Sequence, residues 1–210
     1  FGAQLAGTPS NYTALVANLK PGDTLNLAAG TYLDGLEIDF QGAPNQWIVI
    51  QGPSSGAPAR FLAKATRNTV QLSFASYIAI RWLHLDGGNL PNVDGIKAGG
   101  IQNSVVHHIL IEGCRIEKHG GNQQTVGIST KCPAWDWTIR GNEILGAGTG
   151  MYLGDSNGDA PFAASVIEGN RVYDPEGYCI EIKFHNAWPQ GMGMPTQTSR
   201  TEIRHNVLIK

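Results

Sequence analysis

Two ammonium groups, a phenol and a carboxylate recur at matching places in the second half of this 210-residue chain: Lys131, Lys183, Tyr152 and Glu181. Lys97 and His185 lie beside them in the pattern. They sit in or next to four short apolar phrases, Gly95-Ile-Lys97, Val126-Gly-Ile-Ser129, Gly150-Met-Tyr-Leu153 and Tyr178-Cys-Ile-Glu-Ile182. With Ile96, Ile128, Met151 and Ile180 pointing inward, strand alternation turns Lys97, Ser129, Tyr152 and Glu181 outward. Gly99, Lys131, Gly154 and Lys183 follow on the same side. Such a strip can hold an anion and move a proton. A lysine serves as a base only where burial or nearby positive charge lowers its pKa. Lys183 with Glu181 also reads as one more surface ion pair, a common and weak feature.

Other reactive side chains have simpler readings. Trp135 and Trp188 are expected in turns, where a ring either stacks on a sugar or packs down over a coil. Asp155-Ser-Asn157-Gly-Asp159 offers the first three oxygen positions of a calcium loop. The twelfth position is Val166, so a Gly/Asn turn is the expectation. His119 beside Gly120-Gly121, and the pair His107-His108, read as turn and strand residues rather than metal ligands. Three cysteines, Cys114, Cys132 and Cys179, are too few for a disulfide framework and lack zinc-site spacing.

The elements that must position the strip announce themselves as repeats. Arg81, Glu112, Arg140, Glu168 and Arg204 alternate in sign at intervals of 31, 28, 28 and 36 residues. Each stands two residues before Leu83, Cys114, Asn142, Asn170 or Asn206. The surrounding phrase recurs: Ile111-Glu-Gly-Cys-Arg-Ile116, Ile139-Arg-Gly-Asn-Glu-Ile144, Ile167-Glu-Gly-Asn-Arg-Val172 and Ile203-Arg-His-Asn-Val-Leu208. A near-fixed period of this length marks a stacked repeat architecture. Opposite charges attract across neighbouring strands, so the alternation predicts successive repeats stacked as adjacent strands. Apolar residues on both sides of a small or amide residue predict two strands meeting at a bend, with a further short strand and a Gly-rich turn completing a coil. Stacked Asn142 and Asn170 are expected to form an amide ladder, Cys114 to fill the same column, and Trp137 to align with inward Ile109. No apolar stripe of helical period appears, and a β-sandwich would not repeat this phrase.

One domain spans 1–210. A short amphipathic capping helix is expected over 10–20, started by Ser10 or Asn11, with coils over 21–210. The last coil ends at Lys210 without a polar cap, which predicts either a longer parent chain or self-association through that edge. Twenty-seven glycines, 41% hydrophobic residues, 15% charged residues and a net charge of −2 suit a turn-rich solenoid. They give no electrostatic footprint for nucleic acid, and no apolar run is long enough for a membrane span.

Lys20-Pro-Gly-Asp-Thr-Leu-Asn-Leu27, Gly30-Thr-Tyr32 and Gln46-Trp-Ile-Val-Ile-Gln-Gly52 resemble the opening of right-handed parallel β-helix proteins of the pectate-lyase-like superfamily. Within it the chain looks most similar to polysaccharide lyase families six and nine. The resemblance implies an all-β, right-handed parallel β-helix that acts on an acidic polysaccharide outside the cytoplasm, secreted or periplasmic. It implies β-elimination, in which a cation neutralises the uronate carboxylate and a base takes the α-proton. Tyr178-Cys-Ile-Glu-Ile-Lys183 is similar to the family phrase that ends on the catalytic lysine, which makes Lys183 the matching base. The family's calcium-binding glutamate falls on Tyr178, leaving Glu176 and Glu181 as the candidate Ca2+ ligands. The family's catalytic arginine belongs one coil later, and Arg204, a member of the charge column, does not match it. Tyr152 and His185 join Lys183 as candidate catalytic residues; Lys97, Lys131, Trp135 and Trp188 are candidate substrate contacts. The rival expectations are a non-catalytic polysaccharide-binding or adhesion module, and a structural piece of a longer β-helix.

Overall fold

The computed structural model describes residues 2–186, 188–189 and 191–210. The chain winds as a parallel β-helix, each turn giving one strand to each of three sheets, called A, B and C in chain order. One turn runs Val106–Glu112 in sheet A, Arg115–Glu117 in sheet B and Val126–Thr130 in sheet C. The next runs Ala134–Arg140, Glu143–Leu145 and Thr149–Leu153. Among the described residues sheet C holds six strands, so six turns are complete.

Sheet A carries the charge column in register: Arg81 faces Glu112, Glu112 faces Arg140, Arg140 faces Glu168 and Glu168 faces Arg204. Ion pairs close at 2.9 Å for Arg81–Glu112, 2.7 Å for Arg140–Glu112 and 2.9 Å for Arg204–Glu168. Among the described residues none forms between Arg140 and Glu168, so the column is two clusters rather than a continuous chain. Partly solvated pairs of this kind contribute about 0.2–1 kcal/mol each. One residue inward, Leu25, Ile50, Ile80, Ile111, Ile139 and Ile167 stack as a fully buried column. Each removes apolar surface worth roughly 1.5–3 kcal/mol from water, and this column is the spine of the core.

Sheets A and B meet at a bend whose first residue is left-handed in successive coils, with φ 63° at Gly113, 62° at Gly141 and 63° at Gly169. Glycine adopts that conformation without penalty. The next residue is the amide column. Asn170 Oδ1 accepts from the Asn142 backbone N–H at 3.0 Å and from Asn142 Nδ2 at 2.9 Å. Its own Nδ2 donates to Ile139 O at 2.9 Å and to Asn206 Oδ1 at 3.0 Å. Asn142 Oδ1 continues the ladder to the Cys114 N–H at 2.9 Å, and Cys114 is a buried free thiol. The ladder thus satisfies backbone groups that the bend would otherwise leave unpaired.

The N-terminal helix covers only Tyr12–Val16. It begins as expected, with Asn11 at the N-cap position but bonding its Oδ1 to the Thr8 N–H at 2.6 Å. It is shorter than the expected 10–20 because the bonding tightens after Val16, Asn18 N–H donating to Leu15 O and Leu19 N–H to Val16 O. The cap works through packing instead. Tyr12 lies edge-on to Tyr32 and Phe61, with ring centroids at 5.0 and 5.8 Å, and closes the first coil. At the other end Ile203, Val207, Leu208 and Ile209 are 45–49% exposed.

Two consequences can be measured. Asn170→Ala strips partners from four polar groups at once, so unfolding free energy from a denaturant titration should fall by about 3 kcal/mol or more; a change below about 1 kcal/mol would refute the ladder's structural weight. The buried imidazole of His119 and the half-buried one of His107 are both held neutral, chiefly by burial, His107 down to about 4. The unfolded chain takes up those protons at about pH 6.5 and the folded chain does not, so stability is complete above that pH and is lost as pH falls towards 4. Thermal midpoints should therefore drop between pH 7 and 5, and His107→Gln should flatten the slope.

Candidate functional site

The outer face of sheet C gathers the reactive strip. Lys97 pairs with Ser129, Ser129 with Tyr152, and Tyr152 with Glu181, while Ile96, Ile128 and Met151 are buried beneath. Lys131 and Lys183 follow the ends of their strands, their N–H groups donating to Ala98 O and Leu153 O. Between them stands Gly154, with φ 97°. A Cβ there would come to 3.0 Å from Lys183 Cβ and 3.2 Å from Ala160 O, so glycine lets the Lys183 rung pack closely against this one.

Both lysines lean on one ring. Lys131 Nζ lies 3.4 Å from the Tyr152 ring centroid, and Lys183 Nζ lies 5.3 Å from it. Two ammoniums within about 6 Å of one phenol are a cation–π arrangement of unusual charge density. The Tyr152 hydroxyl shares a 2.7 Å hydrogen bond with Ser156 Oγ. Asp94, Lys97, Lys131, Tyr152 and Glu181 line a cavity of about 140 Å3 with the 123–124 turn.

The three lysines differ in their counter-ions. Lys97 Nζ is 3.4 Å from Asp94 Oδ2, and Lys183 Nζ is 2.9 Å from Glu181 Oε1. Among the described residues no carboxylate reaches Lys131. Burial pushes the Lys131 pKa below the usual lysine value; the Tyr152 phenol and, more weakly, the Asp94 carboxylate oppose the shift, and Lys97 adds to it. The Glu181 hydrogen bond pushes Lys183 the other way. Lys183, expected as the base, is therefore held in its charged form. Asp94 escaped notice in the sequence. It is buried, its Oδ1 accepting from Val126 N–H at 2.9 Å and its Oδ2 from Ser129 Oγ at 2.8 Å. Its only signal was a carboxylate immediately before the Gly95-Ile-Lys97 phrase.

The remaining expected residues are not brought into this cluster. Trp135 lies not in a turn but within strand Ala134–Arg140, 2% exposed and stacked on His107 with centroids at 4.5 Å. Asp136, left-handed at φ 54°, stands at the same register position as His108 and Tyr77, at φ 53° and 55° in the two preceding coils, so the kink is stacked and the strand keeps pairing on both sides of it. Trp188 donates Nε1–H to Pro195 O at 3.1 Å, and its ring meets His185 edge-on at 5.5 Å. Both belong to the excursion after sheet C, outside the lining of the cavity. Glu176 Oε1 accepts from Gly121 N–H at 2.6 Å. Glu181 is committed to Lys183, and the two glutamates join no cluster of three ligating side chains among the described residues. A calcium ion takes six to eight oxygens, and this donor set does not fit it. Asp155-Ser-Asn157-Gly-Asp159 is a closed turn, Asp155 Oδ1 accepting from Asp159 N–H and Ala160 N–H at 3.0 and 3.1 Å.

Two other places compete for attention. His84, Asp86 and Glu117 bring ligating atoms within 4.8 Å of one another on sheet B. Arg60 and Lys118 hold Asp86, and Arg115 holds Glu117, so the group is an ion-pair network. A cleft of about 530 Å3 lies between the helix and the first coil, lined by Tyr12, Val16, Leu36, Glu37 and Arg67. It is larger than the lysine–tyrosine cavity, but Glu37 and Arg67 neutralise each other at 2.8 Å.

Neither a protein-family model nor a curated protein matches the chain. Solved structures do. The alginate lyase from Paenibacillus sp. str. FPU-7 aligns over 97% of this chain and 75% of its own, with TM-score 0.69 and 20% identity. The GH136 lacto-N-biosidase from Eubacterium ramulus aligns over 85% of this chain and 43% of its own, with TM-score 0.66 and 13% identity. The PL6 family alginate lyase AlyGC aligns over 81% of this chain and 28% of its own, with TM-score 0.58 and 16% identity. The chain thus spans under half the length of the last two. At these identities the likeness is one of fold: the chain is a parallel β-helix resembling those of family-six polysaccharide lyases.

Proposed function

We propose that this chain is a carbohydrate-active β-helix protein that cleaves an acidic, uronate-containing polysaccharide by β-elimination. The observation that carries this reading is the single phenol of Tyr152 set between the ammoniums of Lys131 and Lys183. β-Elimination removes the proton on the carbon next to the uronate carboxylate, forms a carbon–carbon double bond and breaks the bond to the bridging oxygen. That oxygen leaves with a proton. With its hydroxyl proton passed to the neighbouring Lys183 amine, Tyr152 Oη takes the ring proton as a tyrosinate, the two ammoniums stabilising the negative charge that passes through the site. Lys183, kept charged by Glu181, protonates the leaving oxygen. The new Tyr152 O–H then returns a proton to Lys183, so the pair is reset. Lys97 and Asp94 hold the neighbouring rung in place.

A hydrolase would need two available carboxyl groups across a glycosidic bond. Asp94 is occupied by Val126, Ser129 and Lys97, and Glu181 by Lys183, which favours elimination. The similar structures include two alginate lyases, and their fold supports a polysaccharide laid across the rungs.

The test is the ultraviolet absorbance of unsaturated uronate ends on alginate, pectate and chondroitin, with calcium and with a chelator. The expected result is product on at least one polymer, with Tyr152→Phe and Lys183→Ala each slowing it about 10²- to 10⁴-fold. Absorbance on none, with polymer still retained on an affinity gel, would replace this reading with that of a binding module.

A further inference from the structure

Elimination next to a carboxylate requires a positive group on that carboxylate, and the groove offers four kinds of candidate. A divalent cation would need the glutamates expected to hold it, but Glu176 is bonded to Gly121 N–H and Glu181 to Lys183. Lys97 is matched by Asp94 at 3.4 Å, and Lys183 by Glu181 at 2.9 Å. Lys131 alone of the three lysines has no carboxylate within 4.0 Å among the described residues, although it is half-buried. Its Nζ contact is the face of the Tyr152 ring. A half-buried ammonium with no carboxylate in direct contact binds an anion more strongly than a solvated one already in an ion pair.

The geometry points to Lys131 as the receptor for the substrate carboxylate, so that the groove recognises a uronate without a metal ion. This rests on the reading of the groove as an acidic-polysaccharide site. It assigns to one lysine a task that the sequence divided between a calcium ion and a general run of basic residues. The place of Lys131 suits the role. It reaches over the ring of Tyr152, the proton-transferring residue, from the rung before it, so an anion on Nζ brings the adjacent carbon of a sugar towards the phenol side of the cavity.

The assignment carries a pH signature. The groups that face Lys131 are Tyr152 from the following rung, Lys97 and Asp94 from the preceding one, and Lys183 beyond Tyr152. Burial makes Lys131 lose its proton below the pH of an ordinary lysine, about 10.4. Because only the charged form receives the anion, affinity is complete at neutral pH. It declines on the alkaline side, ahead of ordinary lysine titration.

The experiment measures binding of uronate tetrasaccharides from alginate, pectate and chondroitin, and of their carboxyl-reduced neutral counterparts, by titration calorimetry with a chelator or with calcium. The proteins are wild type, Lys131→Met, which keeps the length without the charge, and Lys131→Arg, which keeps the charge. The expected result is chelator-insensitive binding of at least one uronate ligand. Its loss in Lys131→Met should be roughly 10- to 100-fold, with most of it restored in Lys131→Arg. Lys131→Met should bind uronate and reduced ligands alike, and should lose the alkaline fall in affinity. Binding that needs calcium, or equal affinity in wild type and a folded Lys131→Met, overturns the assignment. If elimination proceeds with Lys131→Met at the wild-type KM, this inference fails and the lyase reading stands. If binding depends on Lys131 but no unsaturated ends form, the lyase reading fails and the receptor stands. Absence of binding to every uronate ligand overturns both.

Discussion

Parallel hydrogen bonding from coil to coil is the constraint on which the rest of this structure depends. It places each residue about 4.8 Å from its counterpart in the next turn, so side chains act as columns and not singly. The residue types in a column then decide its consequence. Ile50, Ile80, Ile111, Ile139 and Ile167 make a continuous core. Asn142, Asn170 and Asn206 hand donors to acceptors down a buried ladder. Arginine and glutamate alternate where like charges would repel. The column of Lys131, Gly154 and Lys183 departs from this alternation, since two like charges stand on either side of a glycine.

That exception explains why the same residue type behaves in opposite ways within one groove. Lys131 and Lys183 occupy equivalent positions two rungs apart, and both approach the Tyr152 ring. Their environments differ by one carboxylate. Glu181, two residues before Lys183 on its own strand, is outward-facing and close enough to bond its ammonium at 2.9 Å. The corresponding residue before Lys131 is Ser129, whose hydroxyl is turned to Asp94. Burial therefore acts on Lys131 with no nearby carboxylate bonded to it, and the two pKa values move apart. Residues pushed in opposite directions around one shared side chain, here Tyr152, are what proton-transfer chemistry uses.

The columns were legible in the sequence because their periodicity is carried by strong residue preferences: sign alternation at Arg81 to Arg204, amides at the bend, isoleucine on the inside. The parallel β-helix, the outward set on sheet C, inward Trp137 and the Asx turn at Asp155 all follow from that periodicity. What escaped depends on events outside it. Trp135 lies beside a left-handed column, Tyr77, His108 and Asp136, that kinks the strand without ending it, and three unlike residue types leave no shared mark for a local alternation to show. Asn11 looks like a helix cap until Thr8 takes its oxygen. The pairing of Lys183 with Glu181 was equally undecided in the sequence, because motif position says nothing about which partner the ammonium will find. Glu176 and Glu181 are near in sequence, but the turn before the strand sends one to Gly121 and the other to Lys183.

The faces of the solenoid also divide stability from chemistry. On sheet A and at its bend nearly every polar group has a local answer: glutamate for arginine, amide for backbone carbonyl, Glu117 for His84 nearby on sheet B. On sheet C the same architecture supports a half-buried ammonium that receives none from the described carboxylates. Such a group costs stability, and burying it is tolerable only where the coils on both sides are already held rigidly. Coils on either side of Lys131 are held by the isoleucine column throughout and by the amide ladder from Cys114 onward, which fix the backbone whatever the groove does. A local departure from charge matching on a rigid scaffold is the physical ground for reading Lys131 as the receptor of an outside anion.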